Sequence, residues 1–315
     1  MEDYPRTLVE LEARFSTEEA CLDYLFRLRW PEGYRCPCCG HPKGWRVRAT
    51  LRECAACGHQ TSVTAGTIFH RTRKPLTLWF RAIWWVTSQK TGASALGLQP
   101  ILGLGSYKTA WTWLHRLRRA MVRPGRERLS GSVEVDETYW GSEEANVRGR
   151  KTEKKSLIAV AVEENGKGLG RIRMRRIPDA SAQSLEGFIC QAVELGSQVH
   201  TDGWDGYAGL ERRGYRHKVT VLSRSAQNPS ELLPRVHRVV GLLKNWLRGT
   251  HQGAVSAEHL DYYLDEFTFR FNRRTSQYRG KLFYRLLETA MEIEPVSYQQ
   301  MIKRVRGKKP KNYHR

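Results

Sequence analysis

Apolar residues along this chain change their spacing three times. Phe15, Cys21, Leu22, Tyr24, Leu25 and Leu28 recur at helical intervals and predict a helical lead-in over residues 1–33. Residues 34–70 are set apart by cysteines. Residues 71–125 return to a helical pattern. It begins with the most apolar run of the chain, Leu76–Val86, and continues through "GASALGLQPILGLGSYKTAWTWLHRLRRAM". That stretch predicts a short helix, a glycine turn and a longer helix with Ser106 as its N-cap. Pro100 limits the first of the two.

After the Pro/Gly-bearing "RPGRERLSGS" the period drops to two. "SVEVDETYW" starts a strand, and Ser156–Ile177 reads as a β-hairpin across a Gly/Asn turn. "DASAQSLEGFICQAVELGS" is a helix ending at glycine, and "QVHT" and "YRHKVTVL" are two further strands. From Arg235 helices resume, with Val236, Val239, Val240, Leu243 and Leu247 as one apolar stripe. Three strands able to pair antiparallel, followed by strands alternating with helices, predict an α/β fold with a mixed sheet flanked by helices. The expected organisation is a lead-in (1–33), a cysteine module (34–70), a helix-turn-helix-like segment (71–125), a catalytic α/β domain (126–295) and a basic tail (296–315). No internal repeat is visible.

Charge changes the picture. Lys and Arg total 53 against 32 Asp and Glu, a net charge of +21. Such an excess points to a polyanionic partner, most often nucleic acid. "MEDYPRTLVELEARF" has no basic or apolar leader regions, and Leu76–Val86 is short and contains Arg81, so neither a signal peptide nor a membrane span is expected. The expected setting is a reducing cytosol. Clustered cysteines there suggest metal rather than disulfides.

Five of the seven cysteines lie between Cys36 and Cys57. Cys36 with Cys39, and Cys54 with Cys57, form two C-x-x-C pairs separated by 14 residues, each followed by glycine. Four thiolates at that spacing suit a structural, closed Zn2+ site. Cys38 lies inside the first pair as a competing ligand. Cys21 and Cys190 sit on apolar helical positions and are expected in the core.

Lys108, His115, Arg116, Arg118, Arg119 and Arg123 decorate the longer of the two middle helices. A short helix, a glycine turn and a basic second helix fit a reader of the DNA major groove. Further on, Asp136 and Asp202 each follow a short apolar strand, in "VEVDETYWG" and "VHTDGWDGY". Carboxylates on adjacent strand ends make a hard-cation site for Mg2+ or Mn2+, suited to phosphodiester chemistry. His237 and Lys244 fall on a second stripe of the late helix, from where His237 reaches a metal and Lys244 a phosphate.

The ordered set of a cysteine ribbon, "LGLGSYKTAWTWLHRLR", "VEVDETYWG", "TDGWDGY", "LKNWLRGTHQG" and "YLDEFTFRFNRR" resembles insertion-sequence transposases of the ISXO-two-like (fifteen-ninety-five) group. The resemblance runs from about Trp30 to Leu287. It implies an RNase H-like DDE domain that cleaves and joins DNA at terminal inverted repeats with divalent metal. It places the two acids at Asp136 and Asp202. The third position falls on His237, seven residues before Lys244, where most DDE enzymes carry Glu. Imidazole there favours Mn2+ over Mg2+. Glu231, Glu266, Asp261 and Asp265 are the alternative third ligands, and a DNA-binding regulator with an inactive domain is the alternative function. Glu137 and Asp205 read as supporting residues.

In "YLDEFTFRFNRR" the phenylalanines read as core, and Asn272, Arg273 and Arg274 as contacts to the DNA backbone. "VRGRKTEKK" (147–155) is a basic loop near Asp136. The tail from Met301 holds seven Lys/Arg and no acid, which adds salt-sensitive DNA affinity. Two DNA ends must be held together, so a homo-oligomer on DNA is expected.

Overall fold

The computed structural model describes residues 2–141, 155–220 and 232–303. It divides into two units: residues up to Arg123 together with those from Thr275 onward, and Pro124–Arg274. The first begins with α1 (Leu8–Arg14) and α2 (Glu18–Arg29), whose starts are capped by the hydroxyls of Thr7 and Thr17. Strands β1 (Gly44–Arg48), β2 (Leu51–Cys54) and β3 (Gln60–Ser62) form an antiparallel sheet. Three helices follow: α3 (Leu76–Ser88), α4 (Ala95–Ile101) and α5 (Tyr107–Ala120). Ser106 caps α5 by accepting the Thr109 N–H at 3.2 Å, as its sequence position predicts. Among the described residues no helix is long and apolar enough to cross a membrane.

The second unit is built on five strands: β4 (Ser132–Trp140), β5 (Ser156–Asn165), β6 (Gly168–Ile177), β7 (Gln198–Thr201) and β8 (Arg216–Val219). Their order is β6-β5-β4-β7-β8. β4, β5 and β6 pair antiparallel, and β7 and β8 join in parallel. Helix α6 (Ala182–Ala192) packs on one face, α7 (Pro234–Gly249) and α8 (Leu260–Asn272) on the other. β5 shows why its sequence is a continuous apolar run. Its small Ala159 and Ala161 meet the α6 side, while Ile158, Val160 and Val162 meet α7 and α8. A strand covered on both faces needs no polar alternation. The expected mixed α/β sheet flanked by helices is what forms.

Edge strand β6 is closed by the end of α8. Asn272 accepts the Ile172 N–H at 2.7 Å and donates to the Ile172 carbonyl at 3.1 Å. Arg274 donates to the Gly170 and Leu169 carbonyls and lies over Phe271, and Arg273 lies over Phe269. The sequence assigns these three residues to DNA, but here they bind the protein. An open sheet edge offers unpaired backbone groups that a terminal Asn and Arg can satisfy.

Glu163 on β5 clasps the other side of the hairpin. Burial opposes its charge, but Arg171 (2.7 and 2.9 Å) and the Ser130 N–H (3.0 Å) pull its pKa from 4.5 to about 2. Its stabilisation is complete above pH about 4.5 and is lost as pH falls toward 2. Wild type should therefore exceed Glu163→Gln in stability at neutral pH, and the gap should close across that acid window. Unfolding curves whose separation does not change with pH would contradict the clasp.

The chain then returns to its first unit with α9 (Arg279–Ala290) and α10 (Tyr298–Lys303). Phe283 of α9 sits edge-on to Phe80 of α3 at 5.6 Å, and Phe80 meets Phe15 at 4.7 Å. Trp79 stacks on Trp113 of α5 at 3.7 Å. The sequence carries the second domain on to residue 295, because the helical period runs through α8 and α9 without a compositional break. Which core each stripe enters is not written in that period.

The basic face expected on α5 is also different. His115 is fully buried, and Arg118, 2% exposed, donates to the Ala93 carbonyl at 3.2 Å. Arg116 donates to the carbonyls of Ile68 (3.3 Å) and Val296 (3.2 Å). Of the six basic positions only Lys108 and Arg123 are exposed. A guanidinium has five donors on a long apolar stem, so it can cross-link buried carbonyls as well as face a polyanion. Sequence spacing does not separate the two uses.

Candidate active site and zinc ribbon

The ribbon's two knuckles repeat one geometry. Gly40 N–H donates to the Cys36 carbonyl (2.9 Å) and Gly58 N–H to that of Cys54 (3.1 Å). Cys36 and Cys54 N–H groups donate to His41 and His59, each at 3.0 Å. Gly40 and Gly58 take φ of 74° and 67°, the left-handed turn that a Cβ disfavours. The folds bring Cys36 Sγ to 3.7 Å from Cys57 Sγ, and Cys39 Sγ to 3.5 Å from Cys54 Sγ. Tetrahedral thiolates at about 2.3 Å from Zn2+ stand roughly 3.8 Å apart, so the donor set fits structural zinc. Desolvation opposes the Cys36 thiolate, but the N–H groups of Cys39 and Cys38 and the neighbouring thiols hold its pKa down near 6. Cys38 is exposed and outside the cluster. Cys21 is buried, and burial pushes its thiol up to about 12, as suits a core residue.

In the second unit, β4 alternates. Val133 and Val135 enter the core beneath α6, while Glu134 and Asp136 face α7. β4 and β7 run parallel with Glu134 opposite His200. Asp136 lies two residues beyond that last paired position on β4, and Asp202 two residues beyond it on the β7 side. The Trp204 N–H donates to Asp202 Oδ1 at 3.0 Å, and the Glu137 N–H to Asp136 Oδ1 at 2.8 Å. Glu137 points to the opposite face and accepts the buried Tyr207 hydroxyl at 2.8 Å. That bond ties the "TDGWDGY" loop to β4. Tyr207 feels both Asp136 and Asp202, which with burial and Glu137 raises its pKa well above the ordinary value.

Helix α7 delivers the third group. Its apolar stripe is buried as predicted at Val236, Val239, Leu243 and Leu247. This turns His237 toward the sheet, with Nε2 at 3.8 Å from Asp136 Oδ2. That nitrogen is buried and has no hydrogen-bond partner. Burial lowers the His237 pKa, the carboxylates of Glu134 and Asp202 oppose that, and Lys244 adds to it. Burial thus favours the uncharged imidazole. Lys244, two turns along, is held below its ordinary pKa by burial and by Arg248 and Lys155, against Asp136.

Among the described residues, the four cysteines are the one metal-type group whose ligand atoms all fall within 4.8 Å. Asp136, Asp202 and His237 are not drawn that close. Of the alternative ligands, Glu266 is buried and paired with Arg270 at 2.7 Å. Asp261 pairs with Arg176 of β6 at 3.6 Å. Asp265 acts on Arg126. α8, which carries all three, packs along β6, two strands from β4. Glu231 and most of the 147–155 loop lie outside the described residues. Sequence reasoning passed over Glu134 and Tyr207. The signal for Glu134 was present, since it alternates in phase with Asp136 in "VEVDE".

The four-cysteine ribbon precedes a mixed α/β domain in which Asp136 in the middle of β4 faces a half-buried histidine of α7 and Asp202 follows β7. Residues 128–272 match the ISXO2-like transposase domain, and residues 16–60 match the transposase zinc-ribbon domain. The chain thus carries both domains of this transposase group, in the same order along the sequence. No curated protein sequence matches it significantly.

Proposed function

We propose that this transposase cleaves and joins double-stranded DNA at the terminal inverted repeats of an insertion sequence, acting as a homo-oligomer on DNA in the bacterial cytoplasm. The observation that carries the proposal is the Asp136–His237 pair. The Nε2 atom of His237, buried and without a hydrogen-bond partner on a side chain that is itself half-buried, lies 3.8 Å from the Asp136 carboxylate within the residues that match the ISXO2-like transposase domain.

Two carboxylates and one imidazole nitrogen fit a divalent cation, with Asp136, Asp202 and His237 as its holders. Mg2+ or Mn2+ bound there would supply Lewis-acid stabilisation and lower the pKa of an attacking water or hydroxyl. The chain's own residues do the rest. Glu137 and Tyr207 keep the two aspartate-bearing segments together. Lys244 places positive charge beside the phosphate being transferred. The attacking oxygens come from water and from a DNA 3′-hydroxyl, so no protein nucleophile is needed. The ribbon and the net charge of +21 support the DNA partner.

The test is a duplex ending in the flanking repeat, incubated with Mg2+ or Mn2+. Nicking at the repeat boundary and a strand-transfer product are expected. Binding without cutting under either metal would favour the regulator reading. Wild type should cut about tenfold faster with Mn2+ than with Mg2+, and His237→Glu should bring that ratio toward one. A ratio that does not change in His237→Glu would remove His237 from the cation site.

A further inference from the structure

We infer that Glu134 is a positioning residue of this centre, bolting the start of α7 to β4 and thereby setting where His237 stands against Asp136. The inference rests on the functional reading above.

Glu134 is 1% exposed. Its Oε2 accepts the N–H of Arg235 at 2.8 Å and of Val236 at 2.9 Å, and its Oε1 accepts the Arg235 guanidinium at 3.0 Å. Arg235 also reaches Glu164 (3.1 Å) and the carbonyls of Gly166 (3.0 Å) and Gly168 (3.4 Å), so the helix start is also tied to the β5–β6 turn.

The first N–H groups of a helix have no partner within it, and its N-terminus carries partial positive charge. α7 has Leu233 at its N-cap position and no side-chain cap of its own. A local Ser, Thr or Asp would satisfy the same donors. A cap supplied from β4 does more, because it holds the helix against translation and rotation relative to the strand that carries Asp136. The two capped residues immediately precede His237. Sliding α7 by one residue moves it about 1.5 Å and turns it about 100°, which would swing the imidazole away. A buried carboxylate is costly unless fully bonded. The apolar stripe of Val236, Val239, Leu243 and Leu247 already secures α7 to the sheet. What that stripe leaves loose is register, and the carboxylate supplies it.

The test compares wild type, Glu134→Gln, Glu134→Asp, Arg235→Met and Asp136→Ala. The readouts are Mn2+ binding by electron paramagnetic resonance, kcat and KM on the repeat duplex, and metal-free amide exchange. Glu134→Gln should weaken Mn2+ binding by about 10–100-fold and lower kcat in step. KM for DNA should stay within about twofold, and exchange of the Val236 amide should accelerate. Arg235→Met keeps both backbone bonds and should lose less.

Unchanged Mn2+ affinity and kcat in Glu134→Gln, measured well below its unfolding midpoint, would reduce Glu134 to structural glue and overturn the inference. If that variant does not fold, Glu134→Asp decides. Its carboxylate is one methylene short of α7, and wild-type Mn2+ affinity there would overturn the inference equally. Asp136→Ala separates the two levels. If it binds Mn2+ like wild type, the centre itself is misassigned and the functional reading fails. If it loses Mn2+ while both Glu134 variants keep it, only the positioning role fails.

Discussion

Asp136→Ala is expected to lower repeat-end cleavage by three orders of magnitude or more, which corresponds to roughly 4 kcal/mol of lost transition-state stabilisation. His237→Ala should fall in the same range, and neither should change duplex affinity by more than about twofold. The reason is geometric. Asp136 and His237 are the pair whose side chains the fold brings face to face, at 3.8 Å, one from β4 and one from α7. Removing either leaves the other without the group it was placed against. Single-turnover cleavage of a labelled duplex, read with DNA binding in parallel, checks this. If only Asp136→Ala fails, the third ligand is not His237. Glu231 would then come first, because Glu266 and Asp261 are committed to Arg270 and to Arg176 of β6.

The second large effect is expected at the ribbon. Its strands are five, four and three residues long, and its buried cluster is Tyr34, Cys36 and Cys54. So small a core cannot offset the chain entropy of folding. Structural zinc contributes on the order of 10–16 kcal/mol to such modules. Cys54→Ser, or a strong chelator, should therefore remove one equivalent of zinc and abolish the ribbon's amide-exchange protection. Cys38→Ser should keep both, since that thiol is exposed outside the cluster. Zinc lost from Cys38→Ser but retained by Cys36→Ser would reverse the ligand assignment.

Several parts of this architecture were legible before any coordinates. The two C-x-x-C pairs and the apolar stripe of α7 follow from local rules of spacing, period and turn chemistry, whereas Asp136, expected at a strand end, lies in the middle of β4 because that strand runs on to Trp140. Each rule acts between near neighbours along the chain, so the sequence carries it in full. The phenylalanines of "YLDEFTFRFNRR" were likewise legible as core, and Phe267, Phe269 and Phe271 are buried.

The polar residues were less legible, because their meaning depends on a partner far away in the chain. Asn272 has a residue type that fits a DNA contact, yet its amide meets Ile172 across 100 residues. Arg118 lies on a helix that looks like a basic reader, yet it ends on a carbonyl of Ala93. Glu134 looked like one more alternating acid in a strand, and its role became visible only when α7 arrived 101 residues later.

By itself, then, the sequence determined which elements form, which residue types can hold zinc or a divalent cation, and which family the order of motifs resembles. The tertiary structure alone decided that Glu134 caps α7, that His237 rather than Glu266 faces Asp136, and that the helix after Thr275 joins the first unit. Hydrophobic period specifies a buried face without naming its partner, and a charged side chain is committed only by the donor or acceptor that the fold brings to it.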